Sequence, residues 1–503
     1  MEAAYQSKPI DTVKKQRQRP DPIIVHLGDM GRYQLFYCML IFLAKFPSGW
    51  VTMSHFFLAA QGEYYCESDK DLDPCLEDCQ SSTFNRTIFT DTIHMSFGLI
   101  CNRFWLSSLS QFAVMGGIMS GAMIFGILSD KYGRRPIFII ECILQLIFGV
   151  VSSTSPNYPM YVLFRFMHAT ATGGQMTTSF VLIMEIIGPK YRETMNILYQ
   201  IPFNLGHATL PLFSYFLRDW RYFYLSFSSF SAVYLIYICV IFESPRWLFT
   251  TGRLEKSITI VEKVAKRNGR PAKDMEQIRP RMETAYEELI SSAPKKKGTV
   301  LDLYRTPNLR RNTIIMIYEW FNVCMIYYGA AQFISNLSGN IFLNVFISGI
   351  LGVPGTVACV FMTKYLGRRL TMIISNAISA FGFLVIACFS TLSPRTVIIF
   401  AIIGLFGASV TFPNSYLYAG EIFPTVVRTT GVGLCSCVGR FGSMIAPFIT
   451  IDLAAYSPII PPAVYGIFAA VGFVLTFFLP ETKGRIVPET LEDGEELHYR
   501  EKD

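Results

Sequence analysis

The chain has 503 residues, of which 51% are hydrophobic and only 16% are charged, whereas about 25% of the residues in a typical soluble domain are charged. The apolar residues come in long blocks, which excludes a disordered or fibrous chain and argues against a soluble multidomain enzyme. The formal net charge is +7, and its meaning depends on where the basic residues lie.

Twelve apolar segments are long enough to cross a membrane, because a bilayer core of about 30 Å requires about 20 residues of helix. Helices are expected, since backbone polar groups in lipid must be hydrogen-bonded within the segment. The sequence therefore predicts an all-α membrane protein with twelve transmembrane helices. The predicted spans are residues 33–59, 110–128, 136–154, 160–184, 194–214, 222–242, 312–333, 342–362, 371–391, 396–418, 430–450 and 462–479.

The Lys and Arg residues outside these spans are unevenly distributed. With the N-terminus placed in the cytoplasm, 35 of the 44 lie in cytoplasmic segments and 6 in extracellular segments. Cytoplasmic segments of membrane proteins carry an excess of these residues, so both termini are predicted to be cytoplasmic. The positive charge then reflects topology and requires no nucleic-acid partner.

A long central loop separates two groups of six spans, which suggests two six-helix halves. In that loop, apolar residues recur at intervals of three and four from Leu254 to Ala265 and from Met275 to Ile290, so short amphipathic helices are expected. The predicted regions are the cytoplasmic N-terminus 1–32, the first half 33–242 with an extracellular loop 60–109, the cytoplasmic central loop 243–311, the second half 312–479 and the cytoplasmic tail 480–503.

The extracellular loop carries four cysteines and a glycosylation sequon. Four cysteines in an extracellular segment favour two disulfides, with three possible pairings, over free thiols or a metal site. The sequon Asn85-Arg86-Thr87 marks Asn85 as a predicted glycosylation site. The cysteines are Cys66, Cys75, Cys79 and Cys101.

Two similar loops support the division into halves. Residues 126–135 (GILSDKYGRR) follow the second span, and residues 363–369 (TKYLGRR) follow the eighth, at corresponding positions. Parallel repeats with a binding site at their interface are a known plan of secondary transporters. Within the second span, Gly117-x-x-x-Gly121 and Ala122-x-x-x-Gly126 predict close helix packing through small residues.

Further motifs carry a family resemblance. They are residues 243–248 (ESPRWL), 302–311 (DLYRTPNLRR), 421–428 (EIFPTVVR) and 480–484 (PETKG). With the two loops, they make the chain resemble the major facilitator superfamily, specifically the organic cation, carnitine and organic anion transporter family (solute carrier family 22). Residues 416–421 (YLYAGE) are most similar to the carnitine-type branch. The resemblance covers nearly the whole chain and implies the major facilitator fold and transport by alternating access.

The resemblance also implies a set of gating residues at the cytoplasmic helix ends. Arg134 and Arg135 can clamp a carboxylate such as Glu185 or Glu421, and in the family such pairs hold the cytoplasmic side closed. The alternative is that these basic residues only determine the orientation of the spans in the membrane. The second loop has Lys364 where the family usually has Asp, so it departs from the pattern. The gating candidates are Asp130, Arg134, Arg135, Glu185, Glu243, Arg246, Glu421 and Arg428.

Three ionisable residues inside the spans are the main candidates for substrate recognition: Lys45, Glu319 and Arg440. Such a residue costs at least about 2.5–3.5 kcal/mol on insertion and therefore tends to face a cavity or a partner. Two interpretations are open. Lys45 and Glu319 pair with each other, or all three line a central cavity in which Arg440 recognises a substrate charge. Arg165 is assigned mainly to the scaffold.

Within the resembling family, cation-selective members typically have Asp at position 440 and Glu at position 352, where this chain has Arg440 and Gly352. A simple organic cation therefore fits poorly, and a cavity with Arg440 and Glu319 suits a zwitterion. Aromatic rings would contact an amine group. The candidate substrate-binding residues are Arg440, Glu319, Lys45, Tyr327, Tyr199, Gln200, Asn322, Trp50 and Tyr416.

The sequence has no nucleotide-binding loop and no metal-spaced histidine cluster, so an enzyme is not predicted. It predicts a monomeric, glycosylated plasma-membrane symporter for a small zwitterionic or cationic amine, such as a carnitine-like betaine or a β-amino-acid derivative. The alternatives are an organic anion carrier that uses Arg440 and Lys45, and a non-transporting receptor with this fold. The expected partners are the small-molecule substrate and the lipid bilayer, with no cofactor except Na⁺ as a candidate coupling ion.

Overall fold

Regular structure is almost entirely helical, which confirms the all-α fold class that the sequence predicts. One two-stranded antiparallel sheet, β1 (Tyr64–Cys66) and β2 (Ser82–Phe84), is the exception among the described residues. The computed structural model describes residues 23, 27–66, 75, 82–269, 271, 276–291, 298–389, 393–485 and 487–497.

Among the described residues before the central loop there are ten α-helices, and short 3₁₀ segments at Cys101–Arg103 and Ser231–Ile236 lie directly before or between them. The helices are α1 (Arg32–Met53), α2 (His55–Leu58), α3 (Ile93–Phe97), α4 (Trp105–Tyr132), α5 (Arg134–Ser153), α6 (Tyr158–Met184), α7 (Pro189–Leu198), α8 (Ile201–Phe216), α9 (Trp220–Phe230) and α10 (Tyr237–Val240).

The remaining helices belong to the central loop and the second half. A 3₁₀ turn, Val300–Tyr304, precedes the first long helix of that half, and a π-helical turn, Phe448–Asp452, extends its fifth. The helices are α11 (Pro245–Thr250), α12 (Leu254–Arg267), α13 (Ile278–Ser291), α14 (Pro307–Ser335), α15 (Ile341–Tyr365), α16 (Arg368–Cys388), α17 (Pro394–Ile422), α18 (Arg428–Pro447), α19 (Ile460–Thr476) and α20 (Leu491–Glu496).

Nine helical segments within the described residues are long and apolar enough to cross a membrane. They correspond to nine of the twelve predicted spans. The other three predicted spans are also helical, but α6 carries many buried polar side chains, the fifth span is interrupted, and α19 has only 17 residues. The helix count is therefore consistent with the twelve that the sequence predicts.

The predicted fifth span, residues 194–214, is not one continuous helix. α7 ends at Leu198, and α8 begins three residues later. Pro202 has no N–H group and cannot donate to the carbonyl oxygen of Leu198, so the helical hydrogen-bond ladder has a gap there. Tyr199 and Gln200 lie at this interruption, near the start of the predicted span, and Gln200 keeps helical backbone angles (φ −80°, ψ −21°).

The chain divides into two compact units, of which the first comprises residues of Met1–Leu40, Val181–Arg192 and Phe242–Pro294. Helices α12 and α13 of this unit lie in the two stretches where the sequence predicts amphipathic helices, except that Met275 is outside the described residues. The buried apolar residues of the unit are Ile23, Leu27, Phe249, Ile258, Val261, Val264, Ala265, Ile278 and Met282.

The second compact unit comprises Ile41–Phe180, Glu193–Ile241 and Lys295–Asp503. Within it, α14 packs against α15, α17, α18 and α19, so it is the central helix of the second half. Helix α16 packs against α17 and α19, while α8 contacts α15 and α18 contacts α4. These last two pairs join helices from opposite halves of the sequence inside one unit.

The small residues of α4 have the packing role that the sequence predicts, but only in part. A Cβ atom at Gly117 or Gly121 would overlap backbone atoms of α6, and at Gly121 the obstacle is the carbonyl oxygen of Thr170. By contrast, a Cβ at Gly126 would have nothing within 4 Å. The second of the two predicted small-residue pairs therefore makes no close contact at Gly126.

The loop of residues 60–109, which the sequence predicts to be extracellular, contains a disulfide between Cys75 and Cys101. Cys66 is also disulfide-bonded, whereas Cys79 lies outside the described residues. Asn85 follows β2, its Oδ1 accepts a hydrogen bond from the Thr87 N–H (3.1 Å), and its glycosylation stays a prediction. The loop therefore has covalent bonds at three of the four predicted cysteines.

Candidate functional site

Two basic side chains of the membrane-spanning helices lie near each other: Lys45 on α1 and Arg440 on α18. Their exposed fractions are 3% and 8%, and the positive charge of Arg440 acts on Lys45. Neither side chain forms an ion pair with a carboxylate among the described residues. Two buried basic side chains therefore share one region in which the described residues provide no carboxylate partner.

The position of Lys45 follows from the local structure of α1 and from the break between α7 and α8. Its Nζ donates a hydrogen bond to Gln200 Oε1 (3.1 Å) and lies 3.7 Å from the ring centroid of Tyr199. Pro47, two residues later, frees the carbonyl oxygen of Leu43, which accepts a hydrogen bond from another span at 3.3 Å. The proline and the helix break thus place Lys45 against neutral polar and aromatic groups.

The guanidinium of Arg440 faces tyrosines of α14 and α17. Its Nη1 donates to the hydroxyl of Tyr328 (3.3 Å), and its charge also acts on Tyr416 and on the thiol of Cys324. A guanidinium has five N–H donors, and a single hydrogen bond to a protein group is found for Arg440 among the described residues. Most of its N–H donors therefore make no hydrogen bond to a protein group among the described residues.

Tyr327 connects the two basic residues. Its hydroxyl donates to Asn204 Oδ1 (2.7 Å), and Gln200 is a further polar neighbour. Its ring lies 5.4 Å from that of Tyr328 and 5.2 Å from that of Phe412. The Lys45–Arg440 cluster, as we name it, consists of Lys45, Tyr199, Gln200, Tyr327, Tyr328, Tyr416 and Arg440.

Six of the nine predicted substrate-binding residues belong to this cluster, and three do not. Glu319 and Asn322 lie together elsewhere, with their neighbours on α16 and α19. Trp50 donates its indole N–H to Thr209 (3.0 Å) and packs against three phenylalanine rings, so it has a packing role. Glu319 lies on a face of α14 that contacts α16 and α19. It therefore forms no pair with Lys45, and it does not share a site with Arg440.

Sequence reasoning missed two polar residues of the membrane region. Asn204 lies one turn after Gln200 and bonds both Tyr327 and Thr356, and a polar residue at this spacing in an apolar span is a detectable signal. Glu141 is fully buried on α5 and accepts a hydrogen bond from Thr178 (2.9 Å). A carboxylate inside a predicted span should itself have marked Glu141 as a candidate.

Arg165 has the scaffold role that the sequence assigns to it. It is fully buried, and its guanidinium donates to the hydroxyl of Tyr161 (3.0 Å) and to Gln111 Oε1 (3.4 Å). Both acceptors belong to helices of the same half. These bonds join α4 and α6 and leave Arg165 out of the Lys45–Arg440 cluster.

The first loop motif forms a local ion pair. Arg134 Nη1 donates to Asp130 Oδ1 at 2.6 Å, and Arg135 donates to the carbonyl oxygen of Ile238 at 2.8 Å. Gly133 makes the turn between α4 and α5 with φ +114°, a conformation that favours glycine. The structure thus shows an Asp130–Arg134 ion pair in this loop, and its gating role stays a prediction.

The strongest charged cluster belongs to the second loop, despite Lys364. The guanidinium of Arg368 forms two hydrogen bonds with Glu421 (2.7 and 2.9 Å) and an ion pair with Glu193 (2.8 Å). Thr482 donates to the same carboxylate of Glu421 (2.6 Å). Glu421 is therefore bound by Arg368, and not by Arg134 or Arg135 as the sequence predicts.

Two of the other predicted gating residues, Arg428 and Glu243, form hydrogen bonds with backbone groups near them in sequence. Arg428 donates to the carbonyl oxygen of Phe423 (3.1 Å), and Glu421 acts on its charge. In the first compact unit, the carboxylate of Glu243 accepts a hydrogen bond from the Ser244 N–H (2.9 Å). Arg246 is exposed near the start of α11, and Glu185 directly follows α6. Their gating roles stay predictions.

The sequence matches a known family over most of its length. A family model described as "Sugar (and other) transporter" matches residues 36–493. Solute carrier family 22 member 3 of Mus musculus is 36% identical over 407 residues, which cover 81% of this chain and 72% of that protein. An organic cation transporter protein of Drosophila melanogaster is 30% identical and covers 94% of each chain.

Solved structures share the fold. The proton:xylose symporter XylE bound to 6-bromo-6-deoxy-D-glucose has a TM-score of 0.66 and 17% sequence identity over 93% of this chain and all of that chain. The inward open conformation of the xylose transporter XylE from E. coli has a TM-score of 0.67 at 15% identity over the same shares. With the family match, these findings identify a multi-pass membrane transporter and not an enzyme. The chain belongs to the sugar (and other) transporter family of the major facilitator superfamily, as a solute carrier family 22-type organic cation/anion transporter.

Proposed function

We propose that this transporter carries a small organic solute with a carboxylate group, and that the Lys45–Arg440 cluster binds the carboxylate. The observation that supports this is the presence of two buried basic side chains without a carboxylate partner among the described residues. Removing a cation from water is costly unless an anion compensates it. A substrate carboxylate would supply that anion each time the site is loaded.

The chemistry of the two groups fits carboxylate recognition. A guanidinium binds a carboxylate through two parallel N–H···O bonds, and charge-assisted bonds of this kind are about twice as strong as neutral ones. Lys45 would contribute a second charge after giving up its bond to Gln200. The tyrosines of the cluster would pack against the carbon skeleton of the solute.

The charges of the side chains around the cluster bear on whether the solute is a zwitterion or an organic anion. Glu319 is not part of the cluster, so no acidic side chain of the described residues accompanies Lys45 and Arg440 there. This favours an organic anion. A zwitterion is the second candidate, because an ammonium group over the ring of Tyr327 or Tyr416 would gain about 0.5–2 kcal/mol. A pure cation would meet two like charges.

For the choice between a cation, a zwitterion and an anion, the relatives offer only the substrate class that their names state. The Drosophila melanogaster protein is called an organic cation transporter protein, and its substrate need not be shared at 30% identity. Residence in the plasma membrane, glycosylation at Asn85 and Na⁺ coupling are further parts of the proposal. They rest on the topology, the sequon and the family resemblance.

The test is uptake into cells that express the full chain, with and without Na⁺. The panel is one labelled quaternary cation, one zwitterionic betaine, one β-amino acid and one aromatic carboxylate. Uptake of the carboxylate or the zwitterions, and not of the quaternary cation, is expected. Preference for the quaternary cation would contradict the proposal, and a Na⁺ requirement would identify a symporter.

A further inference from the structure

The carboxyl group of Glu319 is enclosed by three helices of the second half and takes no part in the Lys45–Arg440 cluster. Its exposed fraction is 0%. Oε2 accepts a hydrogen bond from Asn376 Nδ2 on α16 (3.0 Å), and Oε1 lies 3.0 Å from Thr476 Oγ1 on α19. These two hydrogen bonds fix the position of the carboxyl group, so gain or loss of a proton there would change its contacts with α16 and α19.

Thr476 is the second hydrogen-bonding partner of the carboxyl group. Its Oγ1 donates to Glu319 Oε1 at 3.0 Å and also lies 2.8 Å from the carbonyl oxygen of Gly472. The hydroxyl has one hydrogen, which these two acceptors share. Asn376 and Thr476 are both neutral, so neither supplies a positive charge to the carboxyl group.

Asn322, one turn further along α14, is the third polar neighbour of the carboxyl group. It is fully buried, and neither its Nδ2 nor its Oδ1 reaches hydrogen-bond geometry with a partner among the described residues. Buried amide groups are normally satisfied. Asn322 is thus a neutral amide beside the carboxyl group and supplies no counter-charge to it.

No basic residue compensates a negative charge at this position. Among the described residues, Glu319 forms no ion pair. The titratable groups that its charge affects are Tyr318 on α14 and Tyr418 on α17, and the polar groups facing it from α16 and α19 are neutral. An unpaired ionised carboxylate among membrane helices is costly, whereas a protonated one is not.

The space around the carboxyl group favours a proton over a larger ion. A methyl group at Gly472 would lie 2.7 Å from Asn322 Nδ2 and 3.1 Å from Glu319 Oε1. The site therefore has no room for a hydrated ion unless the helices separate. A proton needs no additional volume.

We propose that Glu319, with Thr476, Asn376 and Asn322, is a proton-binding site that couples transport to proton movement. Water on one side of the membrane gives the proton to the carboxylate, and water on the other side receives it; only the carboxyl O–H bond forms and breaks. The next residue, Trp320, stacks against Tyr416 of the Lys45–Arg440 cluster at 4.2 Å. A movement of α14 would therefore act on both sites.

Infrared spectroscopy of the purified full chain tests the proton site without any substrate. At neutral pH we expect a carbonyl-stretch band of a protonated carboxylic acid that is lost in Glu319→Gln. Glutamine keeps the hydrogen bonds to Asn376 and Thr476, so folding should survive. The matched control is Glu141→Gln, which replaces the other fully buried glutamate on α5 and should leave the Glu319 band in place.

The outcomes are distinct. A spectrum of Glu319→Gln identical to that of the unaltered chain, or a band that disappears when Na⁺ is added, would overturn the proton assignment.

Transport into sealed vesicles tests the coupling. An inward proton gradient should drive accumulation of the solute that the unaltered chain takes up in the panel. Glu319→Gln should lose this gradient-driven accumulation while still exchanging solute. Retention of gradient-driven accumulation in Glu319→Gln would overturn the coupling, whatever the identity of the solute.

Discussion

Charged residues inside the membrane spans have different environments although the sequence presents them alike. Arg440 and Lys45 face a cluster of tyrosines without a counter-charge, whereas Arg165 donates to Tyr161 and Gln111. Arg165 donates to two side chains of its own half, whereas Arg440 makes one hydrogen bond to a protein group among the described residues. We therefore propose Arg440, and not Arg165, as the residue that binds substrate.

Replacement of the arginine tests this assignment at the residue scale. In Arg440→Asp, a substrate carboxylate loses a charge-assisted hydrogen bond worth about 1.5–3 kcal/mol. We expect KM for carboxylate solutes to rise about tenfold or more, with less effect on a quaternary cation. Uptake kinetics with both solutes measures this.

The matched control is Arg395→Asp, since Arg395 is exposed near the start of α17. It should leave the kinetics of all solutes unchanged. An equal loss of uptake for carboxylates and cations in Arg440→Asp would instead indicate that the arginine has a structural role.

Interruptions and small residues decide how the helices present their side chains. Tyr199 and Gln200, at the interruption between α7 and α8, both contact Lys45. Close packing of α4 depends on the absence of a side chain at Gly121. Both features follow from local backbone chemistry that hydropathy does not reveal.

Valine substitutions at two glycines of α4 compare the effect of the same side chain on helix packing and stability. Gly121→Val would force α4 away from the carbonyl oxygen of Thr170, and overpacking of this kind costs about 1–3 kcal/mol. Gly126→Val introduces the same side chain where nothing lies within 4 Å. We expect a clear fall in the folded, detergent-stable fraction for Gly121→Val only, measured by size-exclusion chromatography after heating. Equal stability of the two variants would contradict the α4–α6 contact.

At the scale of the whole molecule, the distribution of Lys and Arg residues predicts the orientation of the protein in the membrane. With 35 Lys and Arg residues on one side and 6 on the other, reversal of the orientation would be opposed by most of the connecting segments. We expect epitope tags at either terminus to be stained only after cells are permeabilised. A tag in the loop of residues 60–109 should be stained on intact cells, and staining of a terminal tag on intact cells would contradict the predicted orientation.

The sequence by itself determined the helical membrane class, the repeated loops, the family and most residues of the Lys45–Arg440 cluster. These depend on hydrophobic length, on motifs and on the cost of a charge in lipid, which are local properties of a segment. The partners of Glu319 and Glu421 were decided only by the tertiary structure. Glu319 is bonded by α16 and α19, and Glu421 by Arg368, because the rotation of each helix about its axis is set by packing against its neighbours.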